Sequence, residues 1–396
     1  MDEAAYARIC AYSAQVASEK AVPQLRLFSQ ALLTRMQKTK LITGISGVRG
    51  AGKSSLLLEF VKNEKGLYIS GDFLLKYGIG LYDALHYAYA NGVRAFGIDE
   101  ISMVGGWPSD LKLFYDSSSA KVAITGSSAI ELAVRGSDLA RRAEFHPLPP
   151  FSFREYLFFK SGANLPEKSP HEIVSAGAGL ARSLAQYDVH YSEFVASHAL
   201  PAAFFQGKGA CRGIMERIIY HDLLPLKNID AQYIGSAFKL LKFLASSEPG
   251  ASSYNAMANS IGKSVKFTIE LVRLLSLSGI ITVVAPDGGG HKGVRGDDKI
   301  LFPLPFRSVL GDYFWFQPLK GALREDFFIH HARTAKHFRE SGRRTPDYLF
   351  EGSVFEIGGA GKGTSQILGM KNAYLVKEGF PSGKNELSLY AFGLLY

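Results

Sequence analysis

The sequence predicts an α/β fold, in which a parallel sheet is flanked by helices. Three short apolar runs, LITGIS at 41–46, RAFGIDEI at 94–101 and KVAITGSS at 121–128, have the composition of buried parallel strands. Good helix formers lie between them, beginning with SLLLEFV at 55–61. Strands that alternate with helices are typical of a parallel sheet built from strand–helix–strand units.

The composition is that of a globular protein with more than one core. The 396 residues correspond to two or three domains, at roughly 150 residues each. Apolar residues make up 47% of the chain and charged residues 20%, which are ordinary values. No stretch reaches the ~18 uninterrupted apolar residues of a membrane helix. The formal net charge of +9 favours an anionic partner such as nucleic acid or nucleotide.

The cysteines and the first residues bear on the cellular compartment. Cys10 and Cys211 are the only two cysteines, and they lie far apart without a CxxC spacing. Neither a disulfide framework nor a cysteine zinc site is therefore expected. The first residues, MDEAAYARIC, are acidic where a secretory signal would be basic. We expect a reducing, cytoplasmic location.

Residues 47–55, GVRGAGKSS, have the spacing of a phosphate-binding loop, namely a glycine, four residues and then Gly-Lys-Ser. The loop lies between a predicted strand and a predicted helix, which is the setting that such a site needs. Glycine allows the tight turn because a Cβ would obstruct it. Backbone amides and the helix N-terminus then face the phosphates. The residues expected to bind nucleotide are Gly47, Val48, Arg49, Gly50, Ala51, Gly52, Lys53, Ser54 and Ser55.

Four side chains in and after this loop are expected to carry the chemistry. Lys53 would reach the β- and γ-phosphates, and Ser54 would ligate Mg²⁺ through its hydroxyl. The second predicted strand ends in Asp99 and Glu100, which can both lie near a phosphate on the neighbouring loop. Asp99 is expected to hold the metal directly or through water, and Glu100 to orient and deprotonate the attacking water. The alternative for this acidic pair is a solvated strand end.

The third predicted strand and the segment after it offer two further candidates. Ser127 is the preferred sensor of the γ-phosphate and Thr125 the second choice, while the alternative is a plain helix N-cap before AIEL. Arg141 and Arg142 follow in RGSDLARRAEFHPLPPFSFREYL. Arg142 is a candidate to stabilise γ-phosphate charge, in its own chain or from a neighbouring subunit of a homo-oligomer. The alternative is a surface salt bridge. The expected catalytic residues are thus Lys53, Glu100, Ser127 and Arg142.

The strings GISGVRGAGKSSLL, GIDEISMVGGWPSDLKLFYD, ITGSSAIEL and SDLARRAEFHPLPPFSFREYL together resemble the AAA-plus ATPases predicted in many archaea and bacteria. The resemblance is strong over residues 30–160 and weak over the rest. It implies ATP hydrolysis with ATP and Mg²⁺, on a P-loop NTPase core joined to a helical lid, a winged helix and a C-terminal α/β domain like restriction endonucleases. Family members usually carry a glycine before the arginine that matches Arg142, where this sequence has Arg141.

We accordingly divide the chain into an ATPase core at 1–160, a lid at 161–230, a winged helix at 231–305 and a C-terminal domain at 306–396. Apolar spacings of three and four residues support a helical lid. In the winged helix, three helical segments precede the strands ITVVAP and KILFPL, which the basic loop GGGHKGVRGDDK joins as the wing. The third helix is predicted to bury one apolar stripe, formed by Val265, Ile269, Val272 and Leu275.

Double-stranded DNA is the expected partner of the winged helix, whose third helix would enter the major groove. The wing would then contact the DNA backbone or the minor groove. The alternative is a protein-interaction module in which the lysines form a solvated face. The candidate contacts are Lys263, Lys266 and Arg273 on the helix, and His291, Lys292 and Arg295 on the wing.

The C-terminal part contains two acids and a lysine in an order that resembles a restriction-type nuclease. Such enzymes hold Mg²⁺ with an Asp and a Glu, and a lysine polarises the attacking water. The acid and the lysine usually bracket a single residue, but a glycine-rich insertion separates Glu356 from Lys362 here. We therefore expect the triad of Asp347, Glu356 and Lys362 to be incomplete, with Lys362 out of reach of the metal.

ATP hydrolysis coupled to conformational change on DNA is the function that the sequence predicts. One alternative is a nucleotide-dependent switch or scaffold with slow turnover. The other is a metal-dependent DNA nuclease regulated by ATP. A GTPase is disfavoured because the sequence has no NKxD-like string to read guanine.

Overall fold

The computed structural model describes residues 1–20, 24–126, 139, 141–222, 231–250, 252–287, 298–338, 345–379, 381 and 383–396. Over these residues the chain divides into two compact units, Met1–Pro150 (unit 1) and Phe151–Tyr396 (unit 2). No helix in these ranges is both long enough and apolar enough to cross a membrane.

Unit 1 alternates strands and helices. Its elements are α1 (Glu3–Glu19), α2 (Leu27–Lys38), β1 (Ile42–Ser46), α3 (Lys53–Asn63), β2 (Leu67–Ser70), α4 (Gly71–Tyr77), α5 (Leu81–Ala90), β3 (Ala95–Asp99), α6 (Trp107–Ser117), β4 (Lys121–Thr125) and β5 (Ala143–Pro147). A short 3₁₀ turn, Ile101–Met103, follows β3.

These strands form one parallel sheet with the order β2-β3-β4-β1-β5. The α/β fold predicted from the sequence is therefore confirmed, and the three predicted strands are β1, β3 and β4. Because the strands are parallel, their carboxyl ends lie at one edge of the sheet. That edge carries the glycine loop after β1 and the acidic pair at the end of β3.

Helix α3 packs tightly on β3. A side chain at Gly97 would overlap Leu57 and Val61 of the helix, so glycine lets the two elements approach. Leu57 is fully buried in this contact. The packing fixes the start of α3, and with it the end of the glycine loop, against the sheet.

Unit 2 begins with helices and ends in a second sheet. Its helices are α7 (Phe153–Ser161), α8 (Pro170–Leu184), α9 (Asp188–Glu193), α10 (Pro201–Gln206), α11 (Gly209–Arg217), α12 (Ala231–Ser246), α13 (Tyr254–Ile261), α14 (Val265–Leu277), α15 (Phe306–Phe314), α16 (Lys320–His331) and α17 (Leu389–Phe392). Its strands are β6 (Thr282–Val284), β7 (Lys299–Leu301), β8 (Lys336–His337), β9 (Tyr348–Phe350), β10 (Ser353–Gly358), β11 (Ala373–Lys377) and β12 (Glu386–Ser388).

Helix α7 packs into unit 2, whereas the sequence-based division places residues up to 160 in the ATPase core. Its buried Phe153 ring lies 5.8 Å from the ring of Phe327. The Ser152 hydroxyl, at the N-cap of α7, donates a hydrogen bond to the backbone carbonyl of Tyr396 at 2.6 Å. The boundary falls at Pro150 because the aromatic side chains of α7 find their partners within unit 2, at Phe194 and Phe204 as well as further along the chain.

The helices α12, α13 and α14 precede an antiparallel pair formed by β6 and β7, in the order predicted from the sequence. The apolar stripe predicted for α14 is wrong at two positions. Val265 is 36% exposed and Ile269 is 46% exposed. The apolar residues of α14 cover more than one face, and periodicity alone does not say which face is buried. The side chains that are buried belong to Thr268, Leu271, Val272, Leu274 and Leu275.

The second sheet of unit 2 has the order β12-β11-β10-β9-β8. β10, β11 and β12 are parallel, whereas β8 and β9 run antiparallel to their neighbours. This sheet carries Asp347 just before β9 and Glu356 within β10.

Candidate nucleotide-binding site

The loop between β1 and α3 depends on glycine. Gly47, Gly50 and Gly52 have φ values of 151°, 83° and 96°, which side chains rarely allow. At Gly47 a Cβ would also overlap the backbone carbonyl oxygen of Leu148, which follows the neighbouring strand β5. The loop is therefore a close-fitting backbone cradle, as the sequence predicts.

Lys53 lies inside this cradle, at the first residue of α3. Its Nζ donates to the carbonyl oxygens of Gly47 at 2.7 Å and Val48 at 3.1 Å. The side chain is buried. The ammonium group therefore lies among the loop's own backbone groups, next to a helix N-terminus that favours anions.

Arg26, just before α2, ties the loop to the end of unit 1. Its guanidinium donates to the carbonyl oxygen of Ala51 at 2.6 Å, of Pro149 at 2.7 Å and of Pro150 at 3.0 Å. Arg26 is itself buried. Sequence reasoning missed this residue because no motif marks it, and its partners are far away in the chain.

Asp99 ends β3 and is held by the two strands beside it. The Tyr68 hydroxyl on β2 donates to Asp99 Oδ2 at 2.8 Å, and the Thr125 hydroxyl on β4 donates to Asp99 Oδ1. Burial, followed by the charge of Asp99, raises the pKa of Tyr68 well above its usual value. Tyr68 therefore stays neutral and keeps its proton for this hydrogen bond.

Glu100 adopts an uncommon backbone conformation that turns it toward the glycine loop. Its φ of 53° and ψ of 44° lie in the left-handed region, which costs energy for a residue with a side chain. The Glu100 amide donates to Asp99 Oδ1 at 3.2 Å and to Thr125 Oγ1 at 3.3 Å. The carboxylate forms an ion pair with Arg49 of the glycine loop, with 3.1 Å between Oε1 and Nη1. The structure thus brings the acidic pair to the loop.

The remaining predicted site residues have no described contact with the acidic pair. Ser54 and Ser55 lie in the first turn of α3, and Ser127 lies outside the described residues. Arg142 immediately precedes β5, beside the amino end of β1. It is therefore at the sheet edge opposite the glycine loop, about 16 Å away along a five-residue strand.

The side chain of Arg142 also has a partner of its own. Its guanidinium donates to both carboxylate oxygens of Asp116, at 2.8 and 2.9 Å. This hydrogen bonding raises the pKa of Arg142 and lowers that of Asp116. Arg142 thus does not reach the candidate nucleotide site of its own chain. Its predicted role in stabilising γ-phosphate charge is left only for the site of a neighbouring subunit, and there it is a proposal.

The residues at this edge fit a magnesium–nucleoside triphosphate. A glycine loop whose backbone amides are uncovered by side chains suits the close approach of phosphate oxygens, and the lysine inside it supplies positive charge. The Ser54 hydroxyl and the Asp99 carboxylate are oxygen ligands of the kind that Mg²⁺ prefers. The arrangement can therefore bind a triphosphate and place a carboxylate, Glu100, beside it.

Unit 2 contains a second cluster, around the predicted nuclease triad. Lys362 lies beside Glu356 despite the insertion between them, with 2.7 Å between Nζ and Oε1. A side chain at Gly358, two residues after Glu356, would overlap the Lys362 side chain. The lysine therefore fills the space that a side chain at position 358 would occupy. The sequence did not reveal this because the insertion folds back on the strand.

Lys299 at the start of β7 is the other cation in this cluster. Its Nζ lies 3.0 Å from Asp347 Oδ1 and also pairs with Glu325 of α16. Burial raises the pKa of Glu325 to about 7, although Lys299 works in the opposite direction. Burial and then the charge of Asp347 raise the pKa of Glu356 as well. Its Oε2 is buried without a hydrogen-bond partner among the described residues.

A metal ion would have few protein ligands in this cluster. Over the described ranges, no three or more His, Cys, Asp or Glu side chains are grouped so that they could hold a metal ion. The ammonium of Lys299 already neutralises the carboxylate of Asp347.

Two comparisons concern solved structures. The chain is similar to the Walker-type ATPase of Pyrococcus abyssi, with a TM-score of 0.46 and 15% identity, over 72% of this chain and 94% of that one. It is also similar to the RuvB Holliday junction branch migration motor of Thermotoga maritima, with a TM-score of 0.29 and 14% identity, over 74% and 95% of the two chains.

Two further comparisons concern sequence. An uncharacterized protein of Methanocaldococcus jannaschii is 31% identical over an alignment of 291 residues, and the match covers 67% of this chain and 61% of that protein. This chain thus spans less than two thirds of the relative's length. Residues 39–157 match the family model described as an AAA domain. Together with the parallel sheet and the glycine loop, this match identifies residues 39–157 as an AAA-type P-loop domain.

Proposed function

We propose that this protein binds MgATP in unit 1 and hydrolyses it to ADP and phosphate. The observation that carries the proposal is the position of Glu100, whose carboxylate lies 3.1 Å from Arg49 of the glycine loop. A carboxylate at that place is next to the γ end of a triphosphate in the loop. It can therefore act on water that attacks the terminal phosphorus.

Each residue then has a defined task. Lys53 exchanges its bonds to the loop carbonyls for bonds to the β- and γ-phosphates, and the loop amides bind the same oxygens. Ser54 and Asp99 would hold Mg²⁺, which when bound neutralises phosphate charge. Glu100 accepts a proton from the attacking water while the water oxygen forms a bond to the γ-phosphorus. The bond between the γ-phosphorus and the β–γ bridging oxygen breaks, and ADP leaves. Ser127 remains a proposed γ-phosphate sensor.

Glu100→Gln is the variant that tests this proposal. The amide keeps the size of the carboxylate but cannot accept the proton, so we expect the variant to bind ATP at least as tightly as the wild type and its turnover to fall by a factor of about 100 or more. Glu351→Gln, on an exposed turn in unit 2, is the matched control and should retain full turnover. Turnover unchanged in Glu100→Gln, or wild-type protein that takes up no adenine nucleotide with Mg²⁺ present, contradicts the proposal.

We further propose that the energy of hydrolysis drives a conformational change on double-stranded DNA, through a winged helix at 231–305. The exposed face of α14 supports this partner, because Val265 and Ile269 lie there together with the exposed cations Lys266 and Arg273. Cations bind DNA phosphates, and apolar groups contact thymine methyls in the major groove. Lys263, predicted to lie on this helix, is in the turn before it, with its Nζ 5.5 Å from the Phe267 ring centre. His291, Lys292 and Arg295 lie outside the described residues.

ATP turnover titrated with duplex DNA at two salt concentrations tests the DNA proposal. Turnover should rise with DNA, and half-saturation should move to higher DNA concentration as salt increases, because phosphate contacts release counterions. Lys266→Glu with Arg273→Glu should remove the stimulation, whereas Lys62→Glu on α3 of unit 1 should not. ATP binding with slow turnover that DNA leaves unchanged would favour the switch or scaffold function instead.

A second candidate function, metal-dependent DNA cleavage in unit 2, is favoured by the contact of Lys362 with Glu356. A metal ion would have to compete with the Lys299 ammonium at Asp347. Plasmid incubated with Mg²⁺ or Mn²⁺ tests this activity. Cleavage should disappear in Glu356→Ala and Lys362→Ala and persist in Lys371→Ala, whose side chain is exposed. Absence of cleavage by the wild type, or equal cleavage by Glu356→Ala, rules the second candidate out.

A further inference from the structure

Arg49 gives the glycine loop a cation besides Lys53. It is the third residue of the loop, and its guanidinium pairs with Glu100 Oε1 at 3.1 Å. Both side chains are largely shielded from water, with 18% of Arg49 and 23% of Glu100 exposed. An ion pair in such surroundings is screened less than one on an open surface. It therefore restrains the carboxylate that the proposed function uses to activate water.

A bound triphosphate would compete for the same guanidinium. Arg49 belongs to the loop that would hold the phosphates and pairs with Glu100, so under the proposed function its side chain is on the γ side of the site. Arginine binds phosphate oxygens through a planar pair of donors. A triphosphate also carries more negative charge than one carboxylate. A γ-phosphate oxygen would therefore compete with Glu100 for the guanidinium.

We propose that Arg49 senses the γ-phosphate, holding Glu100 in the nucleotide-free protein and releasing it when ATP takes over the guanidinium. The inference rests on the proposed function, since it assigns regulation to the same site. The backbone of Glu100 does not have to move in this exchange, because its amide is held by Asp99 and Thr125. Only the carboxylate turns from Arg49 to the attacking water. ADP lacks the γ-phosphate and leaves the ion pair in place.

A double-mutant cycle on nucleotide affinity tests this proposal without measuring turnover. The affinities of ATP and ADP are measured with a fluorescent nucleotide for the wild type, Arg49→Ala, Glu100→Gln and the double variant, with Mg²⁺ present. Glu100→Gln frees Arg49 and should tighten ATP binding about tenfold, while Arg49→Ala should weaken it about tenfold. In the Arg49→Ala background, Glu100→Gln should produce no gain. For ADP, Glu100→Gln should change the affinity by nearly the same factor with and without Arg49.

Arg35→Ala is the matched control, because Arg35 also pairs with a carboxylate, Glu144, in unit 1. It should leave both affinities unchanged, and thermal unfolding shows whether each variant is folded. If Glu100→Gln still tightens ATP binding in the Arg49→Ala background, the gain comes from removing repulsion between the carboxylate and the phosphates. That result would overturn the proposal. Equal coupling for ATP and ADP would overturn the assignment to the γ-phosphate. If the wild type binds ATP but the cycle shows no coupling between Arg49 and Glu100, only the sensor proposal is refuted. If the wild type binds no nucleotide, the proposed function is refuted too.

Discussion

The Thr125 hydroxyl donates a hydrogen bond to Asp99 Oδ1, so the end of β4 holds the carboxylate at the end of β3. Thr125 also accepts a hydrogen bond from the Glu100 amide at 3.3 Å. One hydroxyl thus orients both acids of the proposed site. Sequence reasoning ranked Thr125 behind Ser127, as a γ-phosphate sensor, and did not foresee this contact with Asp99.

Thr125→Val should lower ATP turnover by a factor of about 10 to 100, because it removes a hydrogen bond that orients a metal-binding carboxylate. Nucleotide affinity in the absence of Mg²⁺ should hardly change. The Mg²⁺ concentration needed for half-maximal turnover should rise, which a merely structural defect would not produce. Thr125→Ser keeps the hydroxyl and should restore most of the activity. Equal loss in the Val and Ser variants would speak against this role.

Lys53→Ala should weaken ATP binding by a factor of about 100, since a charge-assisted contact to the phosphates is lost. Titration with a fluorescent ATP analogue measures this change. Lys62→Ala is the control, because Lys62 lies on the same helix with its side chain 77% exposed. Similar affinities of the two variants would refute the assignment of Lys53 to the phosphates.

Gly47→Ala should destabilise unit 1 by about 2 kcal/mol or more, because the new methyl group meets the Leu148 carbonyl at a φ that favours glycine. The thermal midpoint of unfolding should fall and nucleotide affinity should fall with it. Gly105→Ala is the control, since a Cβ there meets no atom within 4 Å and the position is exposed. A Gly47→Ala protein as stable as the control would show that the cradle tolerates a side chain.

The stability of unit 2 should depend on pH through Glu325, whose pKa rises from an ordinary 4.5 to about 7 on folding. The folded state therefore binds a proton that the unfolded chain releases. The resulting stabilisation is fully present below about pH 4.5 and is lost as the pH rises through about 7. It amounts to about 3.5 kcal/mol at most, since one pKa unit is worth about 1.4 kcal/mol.

Glu325→Gln should flatten this pH dependence between pH 5 and 8, as measured by the thermal midpoint of unfolding. Glu351→Gln, in an exposed turn between β9 and β10, should leave the wild-type dependence in place. An identical slope in wild type and Glu325→Gln would contradict a raised pKa at this residue.

The local parts of the fold and the site could be predicted from the sequence. β1, the glycine loop and α3 are continuous in the chain, and a parallel strand buried on both faces shows itself as an unbroken apolar run. The acidic pair could be placed at the sheet edge for the same reason, because it directly follows such a run.

The contacts between distant segments could not be predicted. Arg26 binds carbonyl groups more than a hundred residues away, and Arg49 meets Glu100 across the sheet edge. Neither pairing leaves a periodic trace in the sequence. The ion pair of Lys362 with Glu356 could not be predicted for a related reason, since spacing along the chain says little about where a glycine-rich insertion folds.

The hydrogen bond from Ser152 to the backbone carbonyl of Tyr396 has a consequence for the order in which a ribosome delivers the chain. Every contact described here for the glycine loop lies within the first 150 residues, so a nascent chain can assemble that site early. Helix α7 is synthesised next, and its Phe153 ring can meet Phe194 early but gains Phe327 and Tyr390 only when the last part of the chain emerges from the exit tunnel. During that interval Phe153 is only partly covered, and premature termination before residue 389 would remove both its Tyr390 contact and the Ser152 hydrogen bond to Tyr396.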